Sequence, residues 1–302
     1  MNPFAITAPF HPFNDQPLFK IVRHTNFADT YSHIQNYLNR PKLSAVHEHI
    51  TGKGIRIAII DTGADLNHVE LESSFTVAKN FVDQDNQQFV RDIHGTAISG
   101  VIAATPNNQE GIIGLSPGSD LEIYKACWQL NKHSATSACS SYTLAKAFAT
   151  IIDSKPDIVN MSITGPYDPL LAKLVAKMLE QDITLVAAAS STSKTSGFPA
   201  SEPGVFSIQS FGQKIHNRAL NPIYAPGTDL FSTYPANKYD FYSGSSMSTA
   251  FVSGIIALLK QADAKLSNED LNKILTNKHF AQLKSPQVQL ITSLMEPATY
   301  DN

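Results

Sequence analysis

Three short segments carry side chains whose chemistry fits together: Ala58-Ile59-Ile60-Asp61-Thr62-Gly63, Asp92-Ile93-His94-Gly95-Thr96 and, far downstream, Tyr242-Ser243-Gly244-Ser245-Ser246-Met247-Ser248. A serine hydroxyl is a poor nucleophile unless a base removes its proton as it attacks. The base in turn needs a partner that fixes its tautomer and stabilises its charged form. Ser246, His94 and Asp61 can fill those roles in turn. The order Asp, His, Ser is one of three unrelated orders in which such a constellation occurs.

Such a triad works only if distant segments meet, so the intervening elements matter. Residues 55–60 form a short, β-branched, nearly all-apolar run, as expected of a central parallel strand buried on both faces. Similar runs lie at 121–126, 157–161, 183–189 and 205–208. Between them, residues 141–152 set Leu144, Ala147, Phe148, Ile151 and Ile152 at helical spacing, and residues 170–179 repeat that period. Residues 247–259 are almost wholly apolar, as in a helix buried in mid-domain. Ser267-Asn268-Glu269-Asp270 opens a further helix as a capping box with Asp in the Glu position. The alternation predicts an α/β fold: a doubly wound, mostly parallel sheet with helices on both faces.

Asp61 then sits at a strand's carboxyl end, where open α/β sheets place their ligands. His94-Gly95-Thr96 leads into small and apolar residues, 97–104, suited to a tightly packed helix whose start projects the imidazole into a cleft. Ser246 stands at the start of the 247–259 helix, where its backbone N–H is an unpaired donor able to hold a developing oxyanion.

Each segment also has a plainer reading. Asp-Thr-Gly can be only a turn after a strand. It is also half of an aspartic protease motif, but that mechanism needs two carboxylates sharing a proton, and no second Asp-Thr-Gly or Asp-Ser-Gly exists here. A dinucleotide site is weaker still, because no Gly-x-Gly-x-x-Gly follows the strand. His94 is one of ten histidines, and a serine-rich run is usually a loop.

A chain of 302 residues can bury a large core in one domain. Its 42% hydrophobic and 16% charged residues describe a compact globular protein, and a net charge of −3 gives no sign of a nucleic-acid partner or an anionic membrane surface. No apolar run approaches the ~20 residues needed to span a bilayer. The start has neither a basic n-region nor a sustained apolar h-region. The expectation is a cytoplasmic protein, or a secreted one whose leader is absent from this sequence. Cys127 and Cys139, the only cysteines, either close a loop as a disulfide in an oxidising compartment or remain two buried thiols. Residues 1–28, rich in Pro, Phe, Asn and Asp without periodicity, read as an N-terminal arm, and residues 29–302 as one domain. The arm either drapes over the surface or lies across the cleft and delays activity.

Asp61-Thr62-Gly63, His94-Gly95-Thr96 and Gly244-Ser245-Ser246-Met247 resemble the three signature blocks of the subtilisin-like serine proteases, the subtilase or peptidase S8 family. Asn160-Met161-Ser162-Ile163-Thr164-Gly165-Pro166 resembles that family's substrate-binding strand. Tyr224-Ala225-Pro226-Gly227, followed by Ser232-Thr233, resembles the segment leading to the nucleophile. The resemblance implies a serine endopeptidase acting on peptide or protein substrates as a monomer, with no required cofactor. Asp61 would be the orienting acid, His94 the general base and Ser246 the nucleophile. Ser162, Ile163, Thr164 and Gly165 would offer main-chain groups to an extended peptide bound as an added strand. Phe198-Pro199, joined by a cis peptide bond, would wall the pocket for the residue before the cut.

The sequence also departs from that family. An asparagine normally follows Ala-Ala-Ala-Gly and completes the oxyanion hole. Here the run reads Val186-Ala187-Ala188-Ala189-Ser190-Ser191, which puts Ser191 at that position. Losing such a donor typically costs ~10²–10³ in turnover. Either Ser191, Thr192 or Ser245 donates beside the Ser246 N–H, or the enzyme is slow but specific, or the domain is a catalytically weak peptide-binding module. Acyl transfer to an amine in peptide maturation would use the same residues. Ala250-Phe251 stands where the family shows Pro-His. Glu70 replaces a usual aspartate ligand, and Asn107 and Asn108 fall in an oxygen-rich loop, so calcium is possible as a structural ion. The segment from Cys127 to Cys139, with Trp128, reads as inserted beside the cleft, a rigid flap if its cysteines are joined.

Overall fold

The computed structural model describes residues 4–6, 27–83, 85, 89–131, 136–190, 197–213, 221–276 and 285–296. Strand β1 (Phe4–Ile6) and helix α1 (Arg40–His47) precede β2 (Arg56–Asp61), β3 (Phe75–Asn80), α2 (Ile93–Ala103) and β4 (Asp120–Lys125). Next come β5 (Cys127–Gln129), β6 (Ser137–Cys139), α3 (Ser141–Ser154), β7 (Ile158–Met161), α4 (Pro169–Leu179), β8 (Thr184–Ala188), β9 (Phe206–Ser210) and β10 (Ile223–Ala225). The chain continues through β11 (Leu230–Tyr234), β12 (Lys238–Tyr242), α5 (Ser245–Ala262), α6 (Asn268–Thr276) and α7 (Pro286–Thr292).

Seven strands form one sheet in the order β10-β9-β8-β7-β2-β4-β3, every neighbouring pair parallel. From β2 the chain crosses to the edge strand β3 and returns inward through β4, then passes to β7 on the other side of β2 and runs outward to β10. The strand order therefore reverses beside β2, and Asp61, its last residue, stands at the crevice such a reversal opens. Successive side chains of a strand point to opposite faces. Ile57 and Ile59 accordingly join a core cluster with α2 and α5, while Ala58 and Ile60 join a second cluster with α3 and α4. The doubly wound α/β fold expected from the alternating pattern is the one observed. Each isoleucine so buried contributes roughly 1.5–3 kcal/mol, which is why a run of such residues fixes β2 at the centre.

An antiparallel hairpin of β11 and β12 lies against α2. The Ser232 hydroxyl donates to Ala97 O and that of Thr233 to Thr96 O, both at 2.7 Å. Gly100 permits this approach, since a Cβ there would lie 2.2 Å from Thr233 Oγ1.

A three-stranded sheet, β1-β6-β5, stands apart from the main one. Cys127 and Cys139 are register partners on β5 and β6, and a disulfide joins them. Of the two states left open by the sequence, the structure has the bridged one. Part of the N-terminal arm belongs to this sheet: Phe4, Ala5 and Ile6 pair antiparallel with Cys139, Ala138 and Ser137. Residues 7–26 of the arm lie outside the described residues. No helix among the described residues is long and apolar enough to cross a membrane.

Gly100→Ala forces a methyl group into the contact between α2 and β11. It is expected to destabilise the protein by about 1–3 kcal/mol, read as a lower urea midpoint at unchanged slope. An unchanged midpoint would show that the two elements can separate freely.

Candidate active site

Three elements deliver the three candidate side chains to one point. Asp61 ends β2, His94 is the second residue of α2, and Ser246 is the second residue of α5. Asp61 and His94 are completely buried, and Ser246 is 4% exposed. His94 Nδ1–H donates to Asp61 Oδ1 and Oδ2 at 2.9 and 2.8 Å. Asp61 Oδ1 also accepts the Thr62 N–H at 2.7 Å. With its proton on Nδ1, the neutral imidazole has a bare Nε2, and this atom is buried without a hydrogen-bond partner. It is the one member of the constellation left open to accept a proton.

The hydroxyl of Ser246 does not donate to His94 in this state. It donates to Ser162 O at 3.1 Å, while Ser162 Oγ donates to Ser246 O at 3.0 Å. Behind them, Asn160 Nδ2 donates to Ser162 Oγ and the Ser253 hydroxyl donates to Asn160 Oδ1. This ladder pins the start of α5 to the end of β7. Ser246 lies in the first turn of α5, where backbone N–H groups lack intrahelical acceptors. Beside it, Ser245 Oγ donates to Ala189 O at 3.0 Å. Ser191 and Thr192, the expected oxyanion donors, lie outside the described residues.

The expected substrate strand continues from β7. Ser162 and Ile163 are buried and Thr164 is partly exposed. Gly165 differs from its expected role as an open peptide contact. Its N–H and C=O are both engaged by Phe198 main-chain groups at 2.9 Å, so it anchors the strand instead. The Phe198-Pro199 bond is cis, and the Phe198 ring is 1% exposed and packs edge-on to Tyr167.

A charged pair lies beneath the triad that sequence reasoning missed. Lys125 Nζ, buried, donates to Asp92 Oδ2 and to Thr62 O. Burial pushes the Asp92 carboxyl up to about 7, against the lowering influence of Lys125.

The loop considered for calcium is closed by protein donors. Glu70 Oε1 accepts the Ile112 N–H at 2.7 Å and the Tyr239 hydroxyl at 2.9 Å, and Oε2 accepts Asn108 Nδ2 at 3.2 Å. Burial raises the Glu70 carboxyl to about 7. A cation needs oxygen lone pairs facing it, and both of these oxygens already face N–H or O–H groups. Asn107 and Asn108 turn their backbone N–H groups to Asp29. No group of three acidic, His or Cys side chains able to hold a metal occurs among the described residues. The arrangement as it stands does not fit a calcium ion.

Comparison with known proteins now bears on this geometry. The family description "Subtilase family" matches residues 52–293, a stretch that contains all three side chains. The chain belongs to the subtilase family. It is 33% identical over 258 residues to the "Intracellular serine protease" of Paenibacillus polymyxa, covering 79% of this chain and 76% of that one. Identity to the "Major intracellular serine protease" of Bacillus subtilis is 29%, over 78% of this chain and 76% of that one. Among solved structures, a protease from Pseudoalteromonas arctica superposes with a TM-score of 0.73 at 17% identity, covering 90% of this chain and 100% of that one. A cold-adapted subtilisin-like serine proteinase superposes with a TM-score of 0.65 at 21% identity, over 76% of this chain and 83% of that one. These likenesses show the same fold. The subtilase described here is a serine-type peptide hydrolase.

Tyr239→Phe removes one of the donors to the buried Glu70 carboxyl. Leaving that group undersatisfied is expected to cost about 1–3 kcal/mol, measured as a fall in melting temperature at pH 8. An unaltered melting temperature would show that Tyr239 does not help close the loop.

Proposed function

We propose that this subtilase cleaves peptide bonds through an acyl-enzyme on Ser246, with His94 as general base and Asp61 as the acid that orients it. The observation that carries the reading is the bare, buried Nε2 of His94, held by a fully buried carboxylate at the other ring nitrogen. Catalytic hydrogen bonds are often unmade in the free enzyme and tighten with substrate. Ser246 would turn from Ser162 O toward Nε2, lose its proton there and attack the scissile carbonyl. The Ser246 N–H and a second donor would hold the oxyanion, with Ser191 the first choice and Ser245 or Thr192 the alternatives. His94 would then pass the proton to the leaving amine, and water would repeat the cycle to release the acyl group. Every proton in this sequence moves between protein groups, substrate and water, and no cofactor is needed. The extended substrate would add along residues 162–164, with Phe198 flooring the pocket before the cut. The protein would act as a monomer on peptides, without nucleic acid.

A fluorophosphonate probe is expected to label Ser246 in the wild type and not in Ser246→Ala. A folded wild type that resists labelling would overturn the reading in favour of a peptide-binding module. Ser191→Asn, which restores a longer donor, is expected to raise kcat by ~10-fold or more. No gain would place the second oxyanion donor elsewhere.

The paired cysteines support an oxidising compartment, although the two relatives above carry "intracellular" in their names. The pairing of β1 with β6 supports a restraining role for the arm, since an added strand is also how an extended peptide docks. A chain beginning at His24 is expected to show higher kcat/KM on a short peptide than the full chain. Equal values would argue that the arm only drapes over the surface.

A further inference from the structure

Lys125 and Asp92 take no part in the steps above, yet they lie directly behind the acid and the base. Lys125 ends β4 as the register partner of Asp61 on β2. Its ammonium reaches Thr62 O, in the residue after Asp61, and Asp92 Oδ2, two residues before His94. The two segments it joins are in contact: a Cβ on Gly95 would lie 2.0 Å from Gly63 O, and one on Gly63 would lie 2.8 Å from Asp92 Oδ2. Asp92 is the N-cap residue of α2, a place where a carboxylate normally caps the helix, but its side chain makes no capping bond. Gln129 Oε1 accepts the Ile93 N–H instead. The capping carboxylate has been diverted to hold a lysine.

Stability alone is a poor explanation for this arrangement. Replacing a buried ion pair with apolar residues of similar volume is often neutral or stabilising. We infer that Lys125, paired with Asp92, is a positioning residue for the catalytic base: it fastens the Asp61 turn to the start of the His94 helix and sets the charge the imidazole experiences.

The charge balance makes the second role concrete. Asp61 from β2 pairs with His94 directly, Lys125 from β4 pairs with Asp92 at the N-cap of the His94 helix, and Asp83, in the turn after β3, acts on Asp92. Asp65, in the loop after Gly63, turns its carboxylate to the N–H groups of Asn67 and Ala236. The first ionisable side chain in α5 is Lys260, near its far end, and β11 carries only Tyr234. Without the ammonium, no cation among these groups would offset the carboxyls that face the imidazole. With it, a cation sits among the Asp61 and Asp92 carboxyls, beside the imidazole that takes the serine proton.

The inference rests on reading His94 as the base, so the test uses a readout independent of turnover. The His94 imidazole is titrated by NMR in the full chain carrying Ser246→Ala. Lys125→Met is expected to raise the His94 midpoint by about one pH unit, and Asp92→Asn, which leaves the cation unbalanced, to lower it. Lys125→Arg keeps the charge and is expected to restore the wild-type midpoint. In the active chain, the acid limb of kcat/KM should move with the same signs while KM holds. Midpoints that stay put, or that shift in one direction for both neutralising variants, would overturn the inference. Should Lys125→Met fail to fold, Asp92→Asn against Lys125→Arg still decides the sign. Opposite shifts in a chain that neither labels nor hydrolyses would defeat the hydrolase reading and leave the charge coupling intact.

Discussion

The structure depends on satisfying the Asp61 carboxyl group, which is completely buried at the carboxyl end of β2. Taking a charge out of water costs several kcal/mol even after the protein relaxes. What offsets the cost here is local: the His94 Nδ1–H and the Thr62 N–H both donate to it. This demand has a price in sequence, because the groups that satisfy it must approach closely. Gly63, at φ +117°, turns the chain immediately after the strand, and Gly95 lets the helix carrying His94 sit against that turn.

The nucleophile side is built differently. Fourteen consecutive residues of α5, from Ser246 to Leu259, are buried, so the helix cannot be held by an amphipathic face alone. Hydroxyls and one amide supply the register. Ser253, Asn160 and Ser162 form a continuous chain of hydrogen bonds to Ser246. Each buried polar group in such a chain must be satisfied or it destabilises the core. The chain therefore fixes where Ser246 stands relative to β7, and through β2 relative to Asp61. Helix, strand and turn converge because the parallel sheet reverses its order there.

Much of this was legible in the residues. The apolar runs at β2 and α5 were readable because full burial leaves no polar face to confuse the pattern. The capping box at Ser267 was readable because both of its bonds are local: Ser267 N–H donates to Asp270 Oδ2 and Asp270 N–H to Ser267 Oγ. Elements shaped by distant partners were not readable. β3 lies at the sheet edge with a mixed, half-exposed pattern. β1 is three residues in an aperiodic stretch, and its strand conformation comes from the edge of β6 rather than its own composition. Lys125 reads by type as a surface residue, and only the fold brings Asp92 and Thr62 to its ammonium. Gly165 matched the substrate strand by motif, while its engagement with Phe198 is a long-range pairing that no local pattern reports.

The central claim is that a buried Asp61 holds His94 in the tautomer whose Nε2 is free. Long-range ¹⁵N–¹H correlation of the His94 ring in the resting protein measures this directly. The expected result is a proton on Nδ1, strongly downfield, with Nε2 unprotonated near neutral pH, and loss of that downfield signal in Asp61→Asn. A His94 protonated on Nε2, or a signal indifferent to Asp61→Asn, would contradict the account.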